Sequence, residues 1–228
     1  MKKIIILICL VLSVFIIAQD EENVEKKIAG EEMVEEEKVV EEKEEEKIIN
    51  LVVSNLSSDL LEDIVCLTNL KLLPEMNLIA LYHEEDKEKI EKLKKSLEGH
   101  LFEKKVSFFI LKGEVLQKDI FTQNAWSEQF YKLFSESSGI LFPGGPDIPP
   151  SIYGKKTSLL TEIVSPLRHY YELSFLFHLL GGSQNEKHEP FLAKSPDYPI
   201  FAICLGMQTL NVARSEERRV GKECRSRW

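Results

Sequence analysis

The sequence predicts a doubly wound α/β domain with a mostly parallel sheet flanked by helices. Three observations carry this reading. Short, continuous apolar runs alternate with longer amphipathic ones from Ile48 onward. The short runs do not alternate polar with apolar, so both faces of each strand are covered. Two of them end in glycine-bearing turns, Phe142-Pro143-Gly144-Gly145 and Ile203-Cys204-Leu205-Gly206, where a parallel sheet places its ligands.

The elements follow in order. Residues 48–53 read as a first strand. Ser58-Asp59 starts a helix with Leu60, Leu61, Ile64, Val65 and Leu67 on one face. Residues 78–82 are a second strand. A charged helix over 84–97 buries Ile90, Leu93 and Leu97 and stops at Gly99. Residues 106–111 form a third strand. A helix over 125–134 aligns Trp126, Phe130 and Phe134 at helical spacing. Residues 139–142 form a fourth strand, and Pro166 to Leu180 a long helix closed by Gly181-Gly182. A fifth strand over 199–203 ends on Cys204, and a last helix runs over 206–212.

The 228 residues carry a net charge of −9, unevenly spread. Residues 21–47 hold 13 Glu and 5 Lys without an aromatic or a proline. Such a stretch cannot bury enough apolar area to offset the entropy of ordering, so 19–47 reads as a solvated acidic spacer. Residues 48–213 are mildly acidic, and nothing basic in them suggests nucleic acid. Lys2-Lys3 followed by the apolar run Ile4–Ile17 reads as an export signal over 1–18. A run of about 14 residues is short for a hydrocarbon core of about 30 Å. The expectation is a periplasmic or secreted protein with no stable membrane insertion once the signal is cleaved; left uncleaved, the run would anchor the chain.

Only Cys66 and Cys204 of the four cysteines fall in the domain. No disulfide framework is legible. Ala202-Ile203-Cys204-Leu205-Gly206 is a small-x-Cys-x-Gly turn from strand to helix, the thiol form of a nucleophile elbow. The helix start favours a thiolate, and the Leu205 amide is placed to donate to an oxyanion. A lone cysteine is more often a small buried hydrophobe; strand, small residue, glycine and helix start together reverse that reading. His83 with Glu84, Glu85 and Asp86 resembles a metal cluster, but carboxylates opening a helix suit its dipole. No metal or organic cofactor is expected.

The run Gly139-Ile140-Leu141-Phe142-Pro143-Gly144-Gly145-Pro146-Asp147-Ile148-Pro149-Pro150-Ser151-Ile152-Tyr153-Gly154 resembles the "PGGxDxxPxxYG" segment of class I glutamine amidotransferase-like hydrolases. The subgroup is the γ-glutamyl-γ-aminobutyrate hydrolase type, grouped as a C26-type peptidase family. Residues 203–213 are similar to its "GICxGMQxxNVA", and Arg168 with Glu172 to its "RDxxE", with His169 in place of the Asp. The resemblance covers roughly 48–213 and implies a flavodoxin-like fold. It implies that Cys204 attacks a γ-glutamyl amide carbon and forms a thioester that water hydrolyses. Leu205 and Gly145 would supply oxyanion-hole amides, Gln208 would hold the glutamyl part, and Glu172 would be a structural or substrate-orienting carboxylate. The partner is a small γ-glutamyl substrate.

The family's base is a His followed two residues later by Glu, downstream of the Cys. No histidine follows Ala213, and an ordinary thiol with a pKa of about 8.5 needs a base at neutral pH. His83, His100, His169, His178 and His188 read as packing or surface residues. The basic run 214–228 resembles foreign read-through, so the expectation is a domain incomplete at its C-terminus, lacking the triad His and Glu, and inactive by itself. The other readings are a non-catalytic α/β binding domain with a vestigial elbow, and a related peptidase of the same fold.

Overall fold

The computed structural model describes residues 48–157, 159, 161–163 and 165–214. The expected export signal, the acidic spacer and all of the basic tail beyond Arg214 lie outside the described residues. The described residues fall into two compact units, one of Ile49–Ser58 with those from Met76 to Arg214, the other of Ile48 with Asp59–Glu75. The smaller unit holds most of helix α1 (Ser58–Asn69), whose Leu61, Ile64, Val65 and Leu67 share one face.

The larger unit is a five-stranded, all-parallel sheet flanked by helices, a flavodoxin-like α/β arrangement. Its strands are β1 (Ile49–Ser54), β2 (Met76–His83), β3 (Val106–Leu111), β4 (Gly139–Phe142) and β5 (Ile200–Ala202). They lie in the order β3-β2-β1-β4-β5, so the winding reverses between β1 and β4. Helices α2 (Lys87–Leu97), α3 (Ser127–Ser135), α4 (Pro166–Leu180) and α5 (Leu205–Ala213) complete it.

Strand alternation sorts the core onto two faces. Val52, Leu81, Leu111, Ile140 and Phe142 point to the face covered by α3, α4 and α5, where they join Phe130, Tyr171, Phe175, Leu176 and Leu205. Phe130 and Phe175 stack there with ring centroids 4.6 Å apart. Phe108 points to the opposite face and stacks on Tyr82, and Lys94 of α2 lies 5.9 Å above its ring. Helices on both faces explain why the strands are apolar without alternation.

Several boundaries differ from expectation, and three of the differences have a local reason. Helix α2 begins at Lys87 and not at Glu84. Glu84 accepts the Gly113 N–H at 2.8 Å, and Asp86 accepts the His83 N–H at 3.3 Å while pairing with Lys89 at 2.7 Å. These carboxylates hold a turn before the helix, and among the described residues no acidic or His/Cys group is arranged to hold a metal ion. Helix α3 begins at Ser127 and not at Ala125, because Asn124 Oδ1 accepts the Trp126 N–H at 2.9 Å and ties those residues into a turn. Strand β5 is only Ile200–Ala202. Pro199 has no N–H for a ladder. Among the described residues, no helix is long and apolar enough to cross a membrane.

Helix α4 buries two histidines completely, His169 and His178. His178 has its Nδ1 2.6 Å from the Ser174 carbonyl, so that nitrogen carries the proton and donates; Nε2 then accepts from the Ser127 hydroxyl at 2.7 Å. His169 has no partner on either ring nitrogen among the described residues. Burial lowers each to about 4 from the usual 6.5, with Arg168 adding to the effect at His169. Unfolding therefore takes up protons at pH values between these limits. The stability contributed by the neutral rings is complete above pH 6.5 and is lost as the pH falls towards 4. We expect the urea midpoint to drop between pH 7 and pH 5, with an uptake approaching two protons; His178→Gln should flatten that slope. An unchanged slope in both His178→Gln and His169→Gln would contradict this.

Candidate functional site

The strand register brings the two glycine-bearing turns together. Phe142 pairs with Ala202, and Val53 with Leu141, so β1, β4 and β5 end at one level. One further bond, from the Ile203 N–H to the Phe142 carbonyl at 2.9 Å, carries the pairing past the end of β5. The next residue on each strand then enters its turn, Cys204 on one side and Pro143-Gly144 on the other.

Cys204 occupies the N-cap of α5 with φ 52° and ψ −107°. This region is costly for any residue with a Cβ, on the order of 1–3 kcal/mol. The strain comes from reversing the chain within one residue between β5 and α5, and it presents the side chain at the surface, where the thiol is exposed and free. Gly206 is what lets α5 dock so closely, because a Cβ there would overlap the Phe142 carbonyl oxygen. Leu205 is the first helical residue, and its N–H has no intrahelical acceptor. Gln208 is exposed one turn further along, on the face of Cys204.

The opposing loop comes close. A Cβ on Gly144 would stand 3.4 Å from Cys204 Cβ and 3.9 Å from its Sγ. Gly145 is wedged between the Arg168 guanidinium and Leu205, where a Cβ would lie 3.0 Å from Leu205 Cδ2. The loop continues into a single 3-10 turn over Pro150–Tyr153, which ends at Gly154 with φ 72°.

Beneath the loop lies a buried polar network. Arg168 Nε donates to Glu172 Oε1 at 2.9 Å, and the Ser54 hydroxyl donates to the same oxygen at 2.6 Å. Burial works against the Arg168 charge, but the Glu172 carboxylate beside it prevails and holds the guanidinium above its ordinary value. Glu172 is fully buried, with Oε1 in this network and Oε2 without a hydrogen-bond partner among the described residues. The sequence reading gave Arg168 no role and missed Ser54. The i,i+4 spacing of Arg168 and Glu172 was the available signal for the pair.

The histidines are placed elsewhere. His83 lies at the end of β2 with Nε2 2.9 Å from the Gly113 carbonyl, while its Nδ1 accepts the Glu85 N–H at 3.3 Å. Its ring packs edge-on against Trp126. His178 is held by Ser127 and Ser174, and His188 stacks on Phe177 at 4.7 Å. Among the described residues, Cys204, Gly145, Leu205 and Gln208 thus come together without a histidine hydrogen-bonded to the thiol. A hollow of about 400 Å³ lined by Tyr131, Phe134, His188 and Phe191 includes none of them.

Residues 120–215 match the Peptidase C26 family model. The match takes in the Pro-Gly-Gly loop, α4 and the Cys204 turn, and it supports a hydrolase of the Peptidase C26, glutamine amidotransferase-like kind. No curated protein and no solved structure matches the chain.

Proposed function

We propose that Cys204 is the nucleophile of a hydrolase that cleaves γ-glutamyl amide bonds. The observation that carries this is the strained, exposed thiol at the N-terminus of α5, with the backbone of Gly144 against it. A thiol serving only as packing would be buried on an unstrained backbone. The Peptidase C26 match over the same residues supports the hydrolytic class.

In this reading the Cys204 thiolate adds to the γ-carbonyl carbon. The carbonyl electrons move to oxygen, and the amides of Leu205 and Gly145 donate to the oxyanion. Collapse expels the amine, which takes up a proton, and leaves a γ-glutamyl thioester on Cys204. Water then releases glutamate and restores the thiol. Gln208 contacts the glutamyl part. The protein acts after export, directed by the apolar run 4–17.

Because no described histidine is hydrogen-bonded to the thiol, the test reads acylation at alkaline pH, where hydroxide can take the proton. Turnover is not expected of a chain without the triad His and Glu, but at pH 9 γ-glutamyl-p-nitroanilide should give a single burst of about one p-nitroaniline per chain, and the α-glutamyl isomer none. An absent burst, or an equal one from both isomers, would overturn the reading and favour a binding domain or a different peptidase.

A further inference from the structure

The Arg168–Glu172–Ser54 network gives little as a stability device. Removing two charges from water offsets most of their attraction, and such pairs are often no better than apolar residues. Its geometry points to another use. Arg168 Nη2 donates to the carbonyl oxygens of Pro143 at 3.4 Å and Gly144 at 3.3 Å. Arg168 is only 5% exposed, and Ser54 and Glu172 are fully buried. Three pieces of the fold, the end of β1, the loop after β4 and the start of α4, therefore meet at one ion pair, Ser54 through Glu172 and the loop through Arg168.

We propose that Arg168 is a positioning residue that aims the Gly145 amide at the oxyanion. The proposal rests on the reading of Cys204 as a nucleophile that attacks a carbonyl. A trans peptide carries its C=O and its N–H on opposite sides. The Gly144 carbonyl and the Gly145 N–H belong to one peptide unit, so holding the carbonyl towards Arg168 turns the N–H away from it. The Pro143 carbonyl and the Gly144 N–H are related in the same way. The Gly144 backbone lies against Cys204, within 3.9 Å of Sγ as measured from an added Cβ. Neither Gly144 nor Gly145 has its N–H bonded to another described residue. A Gly-Gly peptide flips readily, since neither residue has a Cβ to restrict it. The double grip of Arg168 prevents that flip, and Glu172 and Ser54 fix the guanidinium.

The experiment compares two reactions of the same thiol in the full chain. Acylation by γ-glutamyl-p-nitroanilide passes through an oxyanion; alkylation by iodoacetamide does not. Removing one oxyanion donor costs on the order of 10²–10³ in rate. In Arg168→Met/Glu172→Leu, which removes both charges together, the acylation burst should slow tenfold or more. Alkylation of Cys204 and the anilide concentration at half-maximal burst should change less than threefold. Arg168→Lys keeps a charge beside Glu172 and should fall between; it decides alone if the double variant does not fold. Equal slowing of both reactions, or of neither, in a chain whose wild type shows the burst would overturn the positioning role. A wild type without any burst would overturn the nucleophile reading and this proposal with it.

Discussion

Gly206→Ala should destabilise the larger unit by about 3 kcal/mol, more than any other single methyl added at the site. The added Cβ would overlap the Phe142 carbonyl oxygen and lie 3.0 Å from both the carbonyl carbon and Cβ of Phe142. None of these atoms is the end of a flexible side chain. The same carbonyl accepts the Ile203 N–H at 2.9 Å, the bond that ties the ends of β4 and β5 together. Moving it away would break that bond, and leaving it in place would push α5 off the sheet. A loss of this size lowers the melting temperature by roughly 6–12 °C in a domain of 150–250 residues. Gly154→Ala is the control. It meets nothing within 4 Å and carries only the cost of φ 72°, about 1 kcal/mol. Thermal unfolding of the two variants should separate them; equal losses would mean that α5 does not dock on Phe142 as described.

Cys204→Ser should reduce the γ-glutamyl acylation burst by at least about a thousandfold, as removal of a nucleophile does elsewhere. The hydroxyl is a far weaker nucleophile at pH 9, and no described histidine is placed to activate it. Cys204→Gly should be equally inactive and yet more stable. Its backbone takes φ 52° without the clash of a Cβ, and the exposed thiol contributes little by burial. A gain of about 1 kcal/mol corresponds to a rise of about 2–4 °C. A more stable inactive variant would mark Cys204 as a residue whose conformation costs stability and serves chemistry. A glycine variant less stable than wild type would argue that the turn is not strained.

Punctuation made much of the fold legible. Pro166 and Gly181 bracket α4, and Gly139 and Pro143 bracket β4, so those bounds could be read directly. The turn at Cys204 was legible for the same reason, because only small residues allow a strand to become a helix within one residue. Boundaries failed where side chains took over backbone partners. Glu84 and Asp86 resemble a helical first turn until their carboxylates are seen to hold Gly113 and His83. The network under the loop was out of reach. Ser54 and Glu172 are 118 residues apart, and nothing in a single sequence says that the ends of β1 and β4 adjoin. His169 carries no local pattern at all; its burial follows from the packing of α4, and its unpartnered ring has no explanation in the described structure.

The most direct test is to locate the acyl group. The γ-glutamyl-p-nitroanilide burst is quenched in acid and the peptides are mapped by mass spectrometry. Cys66 is also exposed and free, which makes it an internal control. A hydroxylamine-labile γ-glutamyl group is expected on the peptide that carries Cys204 and none on Cys66. A γ-glutamyl group on Cys66, or no thioester on either, would contradict this.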